Sequence, residues 1–176
     1  MVDWIQLHNK VKGAANLQLL NSSQRAAFFS IQEAVRYANR INLYGESGAG
    51  KTFLGWVLAQ ELGALYLPSP FSQAQKAELI VVDDAPSTRT ESRVVYDYAL
   101  EFASSVVLLT REPIDDQIIR LRLSLTSEDL VFVGNTLRGF GGPLRIVAAL
   151  EPGLLWNYFL VLAKGGGECA PKGYST

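Results

Sequence analysis

Two unbroken apolar runs mark the middle of the chain, Leu79-Ile80-Val81-Val82 and Val106-Val107-Leu108-Leu109. A continuous run of β-branched and aliphatic residues, too short for a helix, suits a parallel strand covered on both faces. A shorter strand is expected at 41–44, ahead of a glycine-rich stretch, and another at 64–67, stopped by Pro68 and Pro70. Between them lie segments with apolar residues at helical spacing. Asn21, Ser22 and Ser23 offer a cap for a helix over 24–39. The 51–62 segment has an apolar face of Phe53, Leu54, Val57 and Leu58 and is closed by Gly63. Residues 71–78 read as a helical turn or two. Thr90 or Ser92 can cap a helix through 103, a second buried strand covers 105–110, and 113–119 reads as helical. Residues 121–126 alternate and are the expected last strand. Ser127-Glu128-Asp129 can cap a further helix to about residue 140, with acids in its first turn. The β-branched residues of 130–133 leave a strand open there as an alternative. Two more helices are expected after Gly141-Gly142-Pro143, split by Pro152-Gly153, and a disordered tail from 164. Strands alternating with helices imply an α/β fold, a parallel sheet flanked by helices. The expected division is a core with N-terminal helices over 1–126, a small helical lid over 127–163 and a tail over 164–176.

Ligands of such sheets sit at the carboxyl ends of the strands, and three polar signals fall there. After the first strand comes Gly45-Glu46-Ser47-Gly48-Ala49-Gly50-Lys51-Thr52. This matches G-x-x-x-x-G-K-[ST] in full, in its strand–loop–helix setting. Glycines let the loop curl its N–H groups inward as an anion nest, and the following helix adds its positive end. Lys51 is placed for the β- and γ-phosphates of a nucleotide, and the Thr52 hydroxyl for Mg2+. After the second strong strand come Asp83 and Asp84. Asp83 can hold the metal opposite Thr52, and Asp84 can orient the attacking water or accept its proton. Aspartate is one methylene shorter than glutamate, so slow hydrolysis is expected. Thr110 ends the third strand, where its hydroxyl can reach a γ-phosphate or can simply finish the strand. Arg120 and Arg122 flank the expected last strand. Either is a candidate arginine finger acting on a neighbouring subunit, set against a solvated basic face. Arg145 can reach back over the nucleotide from the C-terminal helices. Gln24, upstream of the loop, is placed to read an adenine edge, although a surface glutamine on a helix is the blander account.

The chain has 176 residues, enough for one ordinary domain, with 16 Lys+Arg against 17 Asp+Glu. That balance gives no overall attraction to nucleic acid or an anionic membrane. Cys169 is the single cysteine, so no internal disulfide can form, and a cytoplasmic setting is expected. The N-terminus lacks the pattern of a signal peptide, and the most apolar stretch, 153–163, is too short to span a bilayer.

With those residues in hand, the chain resembles AAA+ ATPases of the bacterial replication-initiator and helicase-loader branch, over about residues 20–150. The stretch "LYGESGAGKTFL" resembles that branch's Walker A, and "LIVVDDA" its Walker B with a double aspartate. "VVLLTREP" resembles its sensor 1 strand, with Thr110 in the polar position. "IIRLRLSLTSEDL" resembles the passage from the arginine finger into the last strand, which implies Arg120 as the finger. "GGPLR" resembles sensor 2, which implies Arg145 as a nucleotide contact. The resemblance implies ATP and Mg2+ as ligands and an ATPase active within a homo-oligomer or with a larger protein partner. It also implies nucleic-acid work through the assembly, such as loading, remodelling, transposition or defence. The chain departs from the family in the short distance from Lys51 to Asp83, which must trim a helix, and in the small lid. No room is left after residue 163 for a helix-turn-helix, so autonomous sequence-specific DNA binding is not expected. Two other classes stay open. One is a nucleotide-gated adaptor with little turnover. The other is a small-molecule kinase drawing on Arg89, Arg93 and Arg111.

Overall fold

The computed structural model describes residues 4–141, with side-chain environments for 8–136. Its centre is a five-stranded, all-parallel sheet in the order β2-β3-β4-β1-β5. The strands are β1 (Arg40–Tyr44), β2 (Leu65–Leu67), β3 (Ala77–Val82), β4 (Ala103–Thr110) and β5 (Ile119–Arg122). The helices are α1 (Trp4–Gly13), α2 (Ser22–Ala34), α3 (Lys51–Leu62), α4 (Arg89–Leu100) and α5 (Ser127–Gly141).

The two apolar runs become β3 and β4, and alternation along them builds two cores. Leu79, Val81, Val107 and Leu109 face one side and pack with α2, α3 and the end of α1. Ile80, Val82, Val106 and Leu108 face the other, against Tyr96 and Ala99 of α4 and against Ile114. Tyr96 is fully buried, and its hydroxyl donates to the Ile41 carbonyl at 2.7 Å. Burial pushes its titration well above the usual phenol value; Arg40 opposes that and Asp116 adds to it. β1 lies between β4 and β5, so the chain leaves β1 through α3 and returns at the far edge of the sheet. The order reverses between β1 and β4, the switch point where open α/β sheets hold ligands.

Several expected elements shift. α2 begins one turn-cap earlier than expected and ends sooner. Asn21, one of the expected cap residues, caps it in a reciprocal box with Gln24, and Arg36 and Tyr37 tighten into i→i−3 bonds. Residues 71–76 form no helix; two prolines leave too little chain, and β3 starts early because Ala77 pairs with Ala103. α4 is preceded by Thr88, not Thr90 or Ser92; Ser92 lies buried inside the helix and donates to the Arg89 carbonyl. Residues 113–118 are irregular rather than helical. Asp116 there accepts from Arg93 at 3.0 Å and pairs with Arg89 at 3.5 Å, which ties the loop to α4. A backbone bond from Gln117, with the two arginines, holds the Asp116 carboxyl below the usual range against the opposing effect of desolvation. The last strand is Ile119–Arg122 rather than 121–126, so Arg120 and Arg122 lie within it. Residues 130–133 are helical, within α5. The expected helices after 143, Arg145 and the tail lie outside the described residues.

Candidate functional site

The loop between β1 and α3 is set by two left-handed glycines, Gly48 (φ 84°) and Gly50 (φ 86°), the second capping α3. Gly45 is required for a different reason. A Cβ there would lie 2.3 Å from the Leu123 carbonyl oxygen, because Leu123 N–H bonds the Tyr44 carbonyl and draws the chain after β5 against the loop. The Lys51 ammonium donates to the Gly45 carbonyl at 2.6 Å and the Glu46 carbonyl at 2.9 Å. Burial lowers its proton affinity; Asp83 and Asp84 work against this and Arg111 adds to it, and the net shift is downward.

Thr52 is the second residue of α3, and Asp83 follows β3, 31 positions later. They meet directly: Thr52 Oγ1 donates to Asp83 Oδ2 at 2.7 Å. Asp83 Oδ2 also accepts the Tyr66 hydroxyl at 2.5 Å, and Oδ1 accepts the Asp84 N–H at 2.8 Å. Burial, then the Asp83 charge and hydrogen bond, push the Tyr66 phenol well above its usual range. Successive side chains on a strand point to opposite faces. Asp84 breaks that alternation with φ 49°, a region Asp tolerates better than most residues, and both carboxylates line the same cavity.

That cavity holds about 650 Å³, within the range of small-molecule sites. Ser47, Gly48, Gly50, Lys51 and Thr52 form its floor, and Asp83, Asp84 and Thr110 its sheet-side wall. His8 and Val11 of α1 and Phe53 and Trp56 of α3 add an apolar, aromatic side; His8 meets Trp56 edge-on at 5.0 Å. Gly45, Glu46 and Ala49 lie on the other side of the loop, in a smaller cavity with Arg111 and Arg122. Arg111 lines both cavities.

Thr110 lines the larger cavity, yet its hydroxyl is engaged on both sides. It donates to the Glu112 carbonyl at 2.6 Å and accepts from Asn42 Nδ2 at 2.8 Å. Asn42 in turn accepts from the Ile114 N–H at 3.0 Å, so this buried network shapes the turn after β4. Arg120 is exposed on β5, opposite Asn42 in register, and is not among the cavity residues. Gln24 is not a surface residue, and both its side-chain polar atoms have protein partners. It is 3% exposed, its Oε1 closes the Asn21 box, and its Nε2 donates to the Gly50 carbonyl at 3.1 Å. Arg89 and Arg93 pair with Asp116, and of the three arginines considered for a kinase acceptor site Arg111 is the one among the cavity residues.

Neither a protein-family model nor a curated protein matches the chain. Solved structures do. A DNA replication initiation factor is similar with a TM-score of 0.56 at 19% identity, over 88% of this chain and 66% of that one. The replication initiator DnaA bound to AMPPCP and single-stranded DNA gives 0.52 at 15% identity, over 86% and 65%. AMPPCP-bound DnaA from Aquifex aeolicus gives 0.54 at 19% identity, over 86% and 66%. The chain shares the fold of these replication-initiator structures. The chain spans just under two thirds of the length of these structures, 65–66%. The glycine-rich loop leaves β1, the fourth strand of the order, and Asp83 and Asp84 follow β3, two strands away across β4.

The residues fit a magnesium–nucleotide complex. Magnesium takes hard oxygen ligands and commonly only one or two from protein, the rest coming from phosphate and water. Thr52 and Asp83 supply one hydroxyl and one carboxylate side by side. Among the described residues no group of three or more His, Cys, Asp or Glu could hold a metal by itself. Sequence reasoning missed Tyr66, the aromatic side of the cavity and the place of Arg111. The one available signal was Gly55, a glycine inside a helical pattern, which calls for a packing reason.

Proposed function

We propose that the chain is an AAA+-type ATPase subunit that binds Mg·ATP at Gly45–Thr52 and hydrolyses it slowly. The Thr52–Asp83 hydrogen bond carries this reading, because it joins two residues far apart in sequence beside the glycine-rich loop, in one cavity. In the proposed mechanism the loop amides and the start of α3 hold the polyphosphate. Lys51 exchanges its neutral carbonyl partners for charged phosphate oxygens, which are stronger acceptors. Thr52 and Asp83 would hold the magnesium, which neutralises charge developing on the phosphates. Asp84, on the same cavity wall, orients the attacking water and takes its proton. Arg120 is exposed on an edge strand and away from its own cavity, which supports a role toward a neighbouring subunit. The similar DnaA structure carries single-stranded DNA, which supports a nucleic-acid task for the assembly. No helix among the described residues is long and apolar enough to cross a membrane.

Asp84 itself favours a second reading. Its short, exposed side chain suits a nucleotide-gated adaptor that holds a partner with little turnover. Steady-state phosphate release separates the two. The ATPase reading expects measurable release by the wild type and a fall of about a hundredfold or more for Asp84→Ala. Equal, near-zero rates for both, with oligomer and DNA present, favour the adaptor.

A further inference from the structure

We propose that Tyr66 is a positioning residue for the metal site, its phenol fixing the Asp83 carboxylate in the orientation that, with Thr52, receives nucleotide-bound magnesium. This rests on the nucleotide reading above. Tyr66 lies on the edge strand β2, paired in register with Val81, and Asp83 N–H bonds the Leu67 carbonyl. That pairing brings the phenol level with the carboxylate. Asp83 Oδ2 then has two donors, Thr52 Oγ1 at 2.7 Å and Tyr66 OH at 2.5 Å, while Oδ1 has the Asp84 N–H at 2.8 Å. Both oxygens are fixed, and the carboxylate cannot rotate without losing a bond to a charged acceptor.

The helix across from Tyr66 is built for the ring. A Cβ on Gly55 would lie 2.9 Å from Tyr66 Cε2 and 3.1 Å from Leu109 Cδ1. Glycine is unfavourable inside a helix, and here its missing side chain is the space that the phenol's ring uses. The Trp56 ring closes a further side, edge-on at 6.4 Å. Thr52 gives its proton to Asp83, which leaves its oxygen lone pairs for a metal. Without the phenol, Asp83 Oδ2 keeps Thr52 as its single side-chain donor and the pair loses its fixed geometry. Partners of metal ligands commonly alter metal affinity by about 10–100-fold.

The test is a magnesium titration of fluorescent ATP-analogue binding to the full chain, for wild type, Tyr66→Phe and Gly55→Ala. In chelator, Tyr66→Phe should bind the analogue within about twofold of wild type, since the loop and Lys51 are untouched. Its half-saturating magnesium concentration should rise about tenfold. Gly55→Ala keeps the phenol but displaces the ring, so it should shift the titration in the same direction; it carries the test alone if Tyr66→Phe does not fold. A Tyr66→Phe titration superimposed on wild type, or shifted to lower magnesium, overturns the proposal. So does an equal loss with and without magnesium, which marks a packing role only. If the wild type shows no magnesium dependence and binds no better than Lys51→Ala, the nucleotide reading fails and this proposal with it.

Discussion

At the scale of single residues, the site depends on a few side chains whose polar atoms are already committed. Thr110 is the clearest case. Its hydroxyl joins Asn42 to the Glu112 carbonyl inside a region that is 2% exposed or less at both residues. Thr110→Val therefore removes a donor to the Glu112 carbonyl and an acceptor from the buried Asn42 amide. We expect a loss of about 1–3 kcal/mol of stability in denaturant unfolding, with nucleotide affinity changed less than by Lys51→Ala. A variant of wild-type stability that has lost turnover would instead place the hydroxyl on the phosphate. Sequence made the glycine-loop residues legible because the motif depends on spacing along the chain: eight consecutive positions hold Gly45, Gly50, Lys51 and Thr52. Tyr66 and Gln24 were not legible in this way. Their partners, Asp83 and Gly50, are 17 and 26 positions away, and the register of β2 on β3 and the docking of α2 decide the contacts.

At the scale of elements, α2 and α5 are joined through one carboxylate. Asp129 is 2% exposed and accepts four hydrogen bonds, from the Ser23 N–H and Oγ and the Thr126 N–H and Oγ1. Thr126 also accepts the Asp129 N–H, so the pair caps α5 while Asp129 binds the first turn of α2. Burial alone would raise the Asp129 carboxyl, but the bonds from Ser23 and Thr126 outweigh it and hold it below its usual value. A depressed carboxyl contributes stability that is complete above the unfolded value of 3.8 and is lost as pH falls below it. Asp129→Ala should cost about 2–3 kcal/mol near neutral pH, and the difference from wild type should shrink as pH falls below 3.8. A pH-independent difference would show that the charge is not the source. The sequence reading expected the helix and its acidic first turn, but the cap is Thr126, one residue earlier, because the strand ends sooner than the 121–126 alternation suggested. The buried strands were easy to anticipate from their unbroken apolar runs. The edge strand β2 was expected at 64–67 and lies at Leu65–Leu67, but the bounds of β5 and the irregular 113–118 turn were not legible, since pairing partners and the Asp116–arginine contacts set them.

At the scale of the whole molecule, the carboxyl ends of the strands hold the candidate site and β5 forms one margin of the sheet. Arg120 is exposed there, in register with Asn42. If it is the finger of a neighbouring subunit, Arg120→Ala should leave nucleotide binding by dilute protein intact and lower turnover of the assembled form by about a thousandfold. A fall of the same size in dilute monomer would contradict a role in trans. Native mass measurements with and without an ATP analogue give the companion readout, and the account expects larger species only with the analogue bound.

The central claim is that the loop amides, Lys51, Thr52 and Asp83 form one site for a magnesium nucleotide. Calorimetric titration of ATP into wild type and Lys51→Ala, each with and without magnesium, tests it most directly. The account predicts saturable one-to-one binding to the wild type that magnesium strengthens, and a loss of about a hundredfold in Lys51→Ala. Binding of equal strength by the two proteins would contradict it.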